Sequence, residues 1–305
     1  MAGATSAWAA GPAPGGALGV AGVAVVGIVE GSAVLVRQST RYGLVEGVRL
    51  TADDIVEAAP GSHVQIEFGD GVILSAADGA RVMLQPRWAQ RRGAAAGPRA
   101  YVVAGWVKLS VPMSTPVESA TMWLNAAPNL MPAPASAKAD RPATLVLRLT
   151  PPDYAVFVEA GNFRMTDRQD AQRRSNLATN DFVWRQGSPR LQQANKPSVE
   201  FVAALPPLFR DVLPARAGKF ADRVVPAKPL GDISYTDVAA WLSGEPALRA
   251  SLVERWRRRA GDPAFRAALQ ANLAQHPEWE LVVYPERAAE QAAERAAARA
   301  AQASR

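Results

Sequence analysis

The segment 25–85 alternates short apolar runs with Gly and Asp-Gly pairs, and this pattern limits the fold more than any other feature of the chain. Within 63–68, apolar and polar side chains fall on opposite faces, as in a half-buried strand: Val64, Ile66 and Phe68 against His63, Gln65 and Glu67. Asp70-Gly71 and Asp78-Gly79 predict hairpin turns, because Gly tolerates the positive φ that tight turns require. The segment is therefore expected to form a compact module of short strands.

Further strands are expected at 144–149 and 154–159, which are rich in β-branched and apolar residues. Two segments read as insertions that lie outside the sheet. The first, 91–98, is rich in Arg, Ala and Gly, and the second, 126–142, contains four prolines, which cannot donate to a β ladder. The β module is assigned to 23–195.

A proline-interrupted segment comes after the β module. Residues 201–220 read as two short amphipathic turns broken by Pro206, Pro207 and Pro214, since proline ends helices. Residues 196–231 are therefore expected to form a connecting strap between the two halves of the chain.

An internal repeat marks a helical region at 232–284. Gly244-Glu245-Pro246 and Gly261-Asp262-Pro263 each place Gly after one helix and Pro at the first position of the next. Asp232 or Ser234 is expected to cap a preceding helix that ends near Trp241. Apolar residues recur every four positions and predict a small helical hairpin or three-helix bundle: Leu248, Leu252 and Trp256, then Phe265, Leu269 and Leu273. The Ala-rich segment 285–305 is expected to be a solvated tail.

The predicted fold class is α+β: a β-rich module followed by helices. The β module resembles the FecR family of periplasmic domains through its spaced Gly and Val pattern at 27–36, 44–50, 55–62 and 64–74. Segments 105–111 and 156–163 match the strands that come next in that family. The resemblance implies a solenoid-like or sandwiched antiparallel sheet that takes part in envelope signalling through contacts with another protein. Family members typically carry a helical sigma-factor-binding domain and one membrane-spanning helix ahead of this module.

The compartment is inferred from the N-terminus and from the resemblance. Residues 6–11 look like the small-residue cleavage end of a secretory signal, so 1–22 is interpreted as a truncated signal or a disordered arm. The apolar run 17–29 is shorter than the roughly 20 residues that cross a bilayer, and no transmembrane segment is predicted. The chain has no Cys, which excludes disulfides and thiol chemistry. We expect a periplasmic protein.

The sequence offers little for catalysis, and we predict no enzyme activity, no cofactor and no metal. His63 and His276 are the two histidines of the chain, and they lie outside any recognisable metal-binding or nucleophile motif. Asp53, Asp70 and Asp78 are assigned to loops and turns. Paired-carboxylate catalysis stays open as an alternative that includes Asp54, because its geometry is set in space rather than in sequence.

The formal charge of +6 suggests an acidic partner. The densest basic cluster consists of Arg255, Arg257, Arg258 and Arg259, which are candidate partner contacts. The same residues could complement the C-terminal dipole of their helix while Trp256 faces the core. Nucleic acid is not expected as a partner, because no nucleic-acid-binding motif accompanies the cluster.

Two functions are consistent with these features. The first is a non-enzymatic interaction protein of the periplasm that binds a protein partner in envelope signalling or regulation. The second is a protein that binds or hydrolyses an anionic wall polymer such as peptidoglycan through exposed aromatic residues. Trp241, Trp256 and Trp279 are expected in the core, whereas Trp106, Trp123 and Trp184 are candidates for either the core or a stacking platform.

Overall fold

The structure is a computed structural model that describes residues 23–90, 98–113, 115, 120–125, 128–132, 143–167, 174–187 and 190–287; for 128–132 and 167 it describes the backbone alone. The predicted signal at 1–22, most of the insertion at 91–98 and all but the first three residues of the tail at 285–305 lie outside these residues. Strands fill the first two thirds of the chain and helices the last third, which confirms the α+β class.

Hydrogen bonds connect 17 strands, whose pairing divides into two sheets that share β7 and β8. The first sheet has the order β4-β1-β6-β7-β8-β11-β12-β15-β16 and is antiparallel throughout. Its strands are β1 (Ala24–Glu30), β4 (Arg49–Leu50), β6 (His63–Phe68), β7 (Ile73–Leu84), β8 (Ala100–Val111), β11 (Ala143–Thr150), β12 (Asp153–Ala160), β15 (Phe182–Arg185) and β16 (Gln192–Ala194).

The second sheet has the order β17-β3-β2-β5-β7-β8-β9-β10-β13-β14, in which β8 and β9 are the one parallel pair among the described strands. Its other strands are β2 (Ala33–Arg37), β3 (Thr40–Gly43), β5 (Ile55–Ala58), β9 (Met122–Leu124), β10 (Pro128–Pro132), β13 (Phe163–Asp167), β14 (Arg174–Leu177) and β17 (Lys228–Asp232). The prediction that 126–142 stays outside the sheet is wrong for β10. Its two prolines occupy the strand ends, where a missing N–H donor costs least.

The strands β7 and β8 bend where they pass from one sheet to the other. On β7, Asp78 and Gly79 both have positive φ, of 45° and 77°. The strand continues through them, so the predicted hairpin turn at Asp78-Gly79 is wrong and the pair forms a bulge instead. On the facing strand, Gly105 has a φ of 89°, and a Cβ there would stand 2.2 Å from the Cα of Ala80. Glycine at 105 therefore lets the two strands bend together.

The main core lies between the two sheets. The apolar face predicted for 63–68 points into it, and Val64, Ile66 and Phe68 are all buried. Burial of each side chain of this size contributes roughly 1.5–3 kcal/mol, so the many buried aliphatic residues on both inner faces supply most of the driving force for folding.

The strap covers the outer face of the first sheet. It includes α1 (Val199–Ala203) and two 3-10 turns at 207–209 and 217–220. The polar side chains of β6 point outward and are nevertheless buried beneath it, so the predicted half-exposed strand is wrong for His63, Gln65 and Glu67. Gln65 donates to the carbonyl oxygen of Pro214 at 3.0 Å, and the backbone N–H of Ala217 donates to Glu67 at 2.8 Å.

Four helices pack on the outer face of the second sheet: α2 (Tyr235–Leu242), α3 (Pro246–Trp256), α4 (Pro263–Ala271) and α5 (Glu280–Val283). Of the two predicted caps, Ser234 is the one that caps α2. Pro246 and Pro263 begin α3 and α4, as the repeat predicts. The helices share their core with the sheet. The indole N–H of Trp241 donates to Glu57 of β5 at 2.7 Å, and burial raises the pKa of that carboxyl.

Candidate ligand groove on the first sheet

The outer face of the first sheet carries a row of side chains that crosses four strands. Strand register places Trp106 opposite Arg148, Arg148 opposite Ala155, and Ala155 opposite Trp184. Directly paired residues project to the same face of a sheet, so these four side chains are neighbours in one line. The side chain of Ala155 ends at Cβ, and a gap is left between Arg148 and Trp184.

Aromatic rings line the gap between Arg148 and Trp184. Phe182 and Trp184 on β15 are stacked, with ring centroids 4.9 Å apart and planes inclined by 24°. Phe201 enters from α1, with its ring centroid 4.9 Å from that of Phe182 and 5.0 Å from that of Trp106. The sheet and the strap therefore meet through rings, and the indole of Trp184 stays half-buried at the open side.

The result is an open groove of about 520 Å³, which we call the strap groove. Six of its lining residues set its shape and charge: Arg148, Ala155, Phe182, Trp184, Glu200 and Phe201. This volume lies within the range of roughly 300–1,000 Å³ that is typical of small-molecule sites. Ser198 holds α1 at the edge of the groove, because its side chain accepts a hydrogen bond from the backbone N–H of Phe201 at 3.1 Å.

The carboxylates of the strap groove already accept hydrogen bonds. Asp153 Oδ1 accepts one from the backbone N–H of Gly187 at 3.1 Å. The pKa of Glu200 is lowered because its own backbone N–H and the hydroxyl of Ser198 hydrogen-bond to its carboxylate. The anionic groups of the groove thus have partners within the chain.

The two arginines of the strap groove differ. Arg185 donates to the carbonyl oxygen of Pro152 and lies 5.0 Å from the ring centroid of Tyr154. Arg148 is exposed and lies 5.5 Å from the ring centroid of Trp106. Arg148 lines the open groove and makes neither a hydrogen bond nor an ion pair with any residue that the structure describes.

The four arginines predicted as partner contacts lie on the opposite side of the protein and divide into two pairs. Arg255 donates to three backbone carbonyl groups, those of Val36, Gln38 and Asp53, and so attaches α3 to the second sheet. Arg259 donates to the carbonyl oxygen of Ile233 at 3.1 Å and pairs with Asp232.

Arg257 and Arg258 are exposed and remain candidates for contact with a partner. Trp256, which precedes them at the end of α3, is buried as the alternative interpretation of the cluster predicts.

Both histidines are enclosed. Neither ring nitrogen of His63 has a hydrogen-bond partner among the described residues, and burial lowers its pKa to about 4. His63 packs edge-on against Phe209 of the strap, at 6.0 Å between ring centroids. Burial also lowers the pKa of His276, whose Nε2 is 3.2 Å from the hydroxyl of Tyr235. Within the described part of the chain, no three acidic or histidine side chains gather closely enough to hold a metal ion.

The carboxylates considered for catalysis have structural contacts. Asp54 accepts from Arg37 at 2.9 Å and from the backbone N–H of Thr51 at 2.7 Å. The other three each hold a turn or a neighbouring strand: Asp53 accepts from the N–H of Arg87, Asp70 pairs with Arg99, and Asp78 accepts from the N–H of Gly61. Each of these four aspartates therefore makes its own structural contact.

The tryptophans fall into two groups. Trp241, Trp256 and Trp279 are fully buried, as predicted. Trp106 is buried under Phe201, whereas Trp123 and Trp184 are half-buried. Sequence reasoning identified Trp184 as a possible platform but missed Arg148 and Ala155. The available signal was the alternation in 144–149, which places Arg148 on the outer face of its strand.

Comparisons with known proteins return little for this chain. No family model matches it, and no curated protein matches it. Among solved structures, two crystal structures of a proposed anti-sigma factor from Parabacteroides distasonis ATCC 8503, at 1.65 Å and 2.50 Å resolution, match with 12% sequence identity and a TM-score of 0.36. Each match covers 49% of this chain and 63% or 62% of the other, so the chain spans less than two thirds of the length of those structures.

Among the described residues, none of the helices has the length and apolar character needed to cross a bilayer.

Proposed function

We propose that this chain is a non-enzymatic regulatory protein of the periplasm that binds a protein partner in the cell envelope through the strap groove. The observation that carries the proposal is the groove itself: an open, aromatic-walled gap bordered by the guanidinium of Arg148, which has no hydrogen-bond or ion-pair partner among the described residues. Trp, Tyr and Arg are the residues that most often dominate the energy of protein interfaces. The FecR-like pattern at 27–74 supports the envelope assignment.

The position of the groove supports a regulatory role. Its aromatic wall includes Phe201 of the strap, and the same strap continues through β17 on the edge of the second sheet to the helices. A partner in the groove therefore contacts both the sheet and the segment that leads to the helical region. Exposed Arg257 and Arg258 offer a second contact surface on that region.

Site-specific photocrosslinking in envelope extracts tests the proposal. A benzophenone amino acid replaces Thr150, an exposed residue at the edge of the groove, and a control chain carries it at Arg210, an exposed residue outside the groove lining. We expect a crosslinked protein at position 150 that is absent at position 210. The product should disappear in Ala155→Leu, which fills the gap. An identical product at both positions, or none at 150, contradicts the proposal.

Binding to a wall polymer is the second candidate, and the half-buried indole of Trp184 favours it because sugar rings stack on exposed indoles. Sedimentation with purified peptidoglycan separates the two. Retention that is lost in Trp184→Ala, together with no crosslinked protein at position 150, would replace the protein partner with the polymer.

A further inference from the structure

We infer that the strap groove binds an acidic peptide, with one large apolar side chain seated over Ala155 and a nearby carboxylate paired with Arg148. The inference rests on the proposed function, because it names the chemistry of the partner segment. It goes beyond that function by committing to the charge of the peptide and to the two residues, Arg148 and Ala155, that contact it.

The first step is the hydrogen-bonding capacity of the groove. Both carboxylates of the groove already accept hydrogen bonds from within the chain: Asp153 from the N–H of Gly187, and Glu200 from its own N–H and from Ser198. Arg185 already donates to Pro152. Among the four charged residues that line the groove, Arg148 is the one with no hydrogen-bond or ion-pair partner in the described residues, and its N–H donors call for a ligand that brings acceptors. A carboxylate fits best, because a guanidinium can bind its two oxygens with two parallel hydrogen bonds.

The second step is the shape of the gap. Ala155 is the small member of a row whose neighbours on either side are Arg148 and Trp184. Phe182 and Phe201 close the gap from the side of the strap. A single apolar side chain of the ligand would cover Ala155, contact the ring of Trp184 and remain within reach of Arg148. Arg148 and Ala155 are direct cross-strand neighbours, so an apolar side chain and a nearby carboxylate of one peptide can reach both.

The third step is the rim of the groove, which separates a peptide from a sugar. Val199 and Val202 of α1 are 80% and 46% exposed, and in sequence they flank the lining residues Glu200 and Phe201. Val199 stands between two lining residues, Ser198 and Glu200. Exposed aliphatic side chains beside an aromatic gap form the kind of patch that marks interaction sites. Flanking apolar residues of a peptide would cover this rim, whereas the hydroxyl groups of a sugar would lose water against it.

The test uses the full chain labelled with 5-fluorotryptophan and followed by fluorine NMR. The chain has eight tryptophans, and Trp184→Phe assigns the resonance at the groove. The probes are three capped heptapeptides: Gly-Leu-Glu-Phe-Glu-Leu-Gly, the same peptide with Lys for Glu, and the same peptide with Ala for Phe and Leu. We expect the acidic peptide to shift the Trp184 resonance, and the other two to bind at least about tenfold more weakly, the factor that 1.4 kcal/mol represents.

Two variants test the residues assigned. Arg148→Gln should weaken the acidic peptide about tenfold or more, because a charge-assisted pair is lost. Arg257→Gln removes an exposed arginine from the opposite face and should leave the affinity unchanged. Unchanged resonances of Trp241, Trp256 and Trp279 verify that Arg148→Gln stays folded.

Three results would overturn the inference: equal binding of the Glu and Lys peptides, no effect of Arg148→Gln, or a Trp184 shift with N-acetylglucosamine oligomers in place of the peptides. The crosslinking experiment distinguishes this failure from failure of the proposed function. If a protein is crosslinked at position 150 but its crosslinked segment has no acidic residues, the inference of an acidic peptide is wrong and the proposed function still stands. If the acidic peptide binds but no envelope protein is crosslinked, the inferred peptide preference is supported and the proposed function is contradicted.

Discussion

The carboxylate of Glu67 occupies the space that a side chain on Gly27 would need: a Cβ at Gly27 would stand 1.9 Å from Glu67 Oε1. Gly27 interrupts the pairing of β1 with β6, where the register shifts between Val26 and Ile28. Glu67 uses the space to accept hydrogen bonds from the backbone N–H groups of Arg216 and Ala217 at 2.8 Å. A glycine in the first strand thus holds the strap, almost two hundred residues later, on the sheet.

Gly27→Ala is therefore expected to destabilise the protein by about 2–4 kcal/mol, because either the strand or the buried carboxylate must move. Gly218→Ala is the matched control, since a Cβ at 218 meets no atom within 4 Å. Urea unfolding measures both. Equal stability of the two variants would contradict the role given to Gly27.

Stability should fall in mild acid because of His63. Burial lowers its pKa in the folded protein to about 4. As the pH falls below about 6.5, the unfolded chain therefore binds a proton at His63 while the folded chain does not. The stabilisation is complete above pH 6.5 and is lost as the pH falls to about 4, with a maximum near 3 kcal/mol. Urea unfolding between pH 7.5 and 4 measures the loss.

His63→Leu provides the control for this pH dependence. It removes the proton acceptor and keeps an apolar contact with Phe209, so the fall between pH 6.5 and 4 should become shallower. His276 and the acidic residues still titrate in this variant. A pH profile identical to that of the parent chain would show that folding leaves the pKa of His63 unchanged.

Arg255 is expected to be the most important of the clustered arginines for stability. It donates to three backbone carbonyl groups between α3 and the second sheet. Arg255→Ala should cost about 2–4 kcal/mol because those acceptors are left without partners. Lys should not rescue it, since an ammonium cannot reproduce the planar fork of donors. Thermal unfolding of Arg257→Ala gives the comparison, and similar losses in the two Ala variants would refute the assignment.

Alanine substitutions at the two glycines where β7 and β8 bend distinguish the cost of backbone strain from the cost of a steric clash. Gly79 and Gly105 both have positive φ, but a Cβ at 79 meets nothing within 4 Å, whereas one at 105 would strike Ala80. Gly79→Ala should cost about 1–2 kcal/mol from the left-handed conformation alone. Gly105→Ala should cost more than about 4 kcal/mol or prevent folding. Soluble yield and urea unfolding measure the difference, and equal costs would argue against the clash.

Local patterns predicted the local structure well. The alternation in 63–68 identified the inward face of β6, and the two Gly-acid-Pro repeats identified the starts of α3 and α4. Each depends on residues close in sequence: side-chain period in one case, and the tolerance of proline at a helix start in the other.

The errors arose where distant segments decide the outcome. The polar face of β6 is buried because a strap almost 150 residues later supplies Pro214 and the N–H groups of Arg216 and Ala217. Asp78-Gly79 has the composition of a hairpin turn, but both flanking residues, Ala77 and Arg81, pair with β8, and the register shift between them makes the pair part of a bulge. Arg148, Ala155 and Trp184 meet only through the register of β11, β12 and β15, which single-strand patterns do not contain.

The continuity of β7 and β8 through both sheets has a mechanical consequence. The groove lies on one sheet and the helices on the other, and two uninterrupted covalent strands span the distance between them. Sliding of one layer past the other would have to deform both strands, so the shared strands oppose it. The bulge at Asp78-Gly79 and Gly105 are the positions where these strands depart from regular backbone geometry.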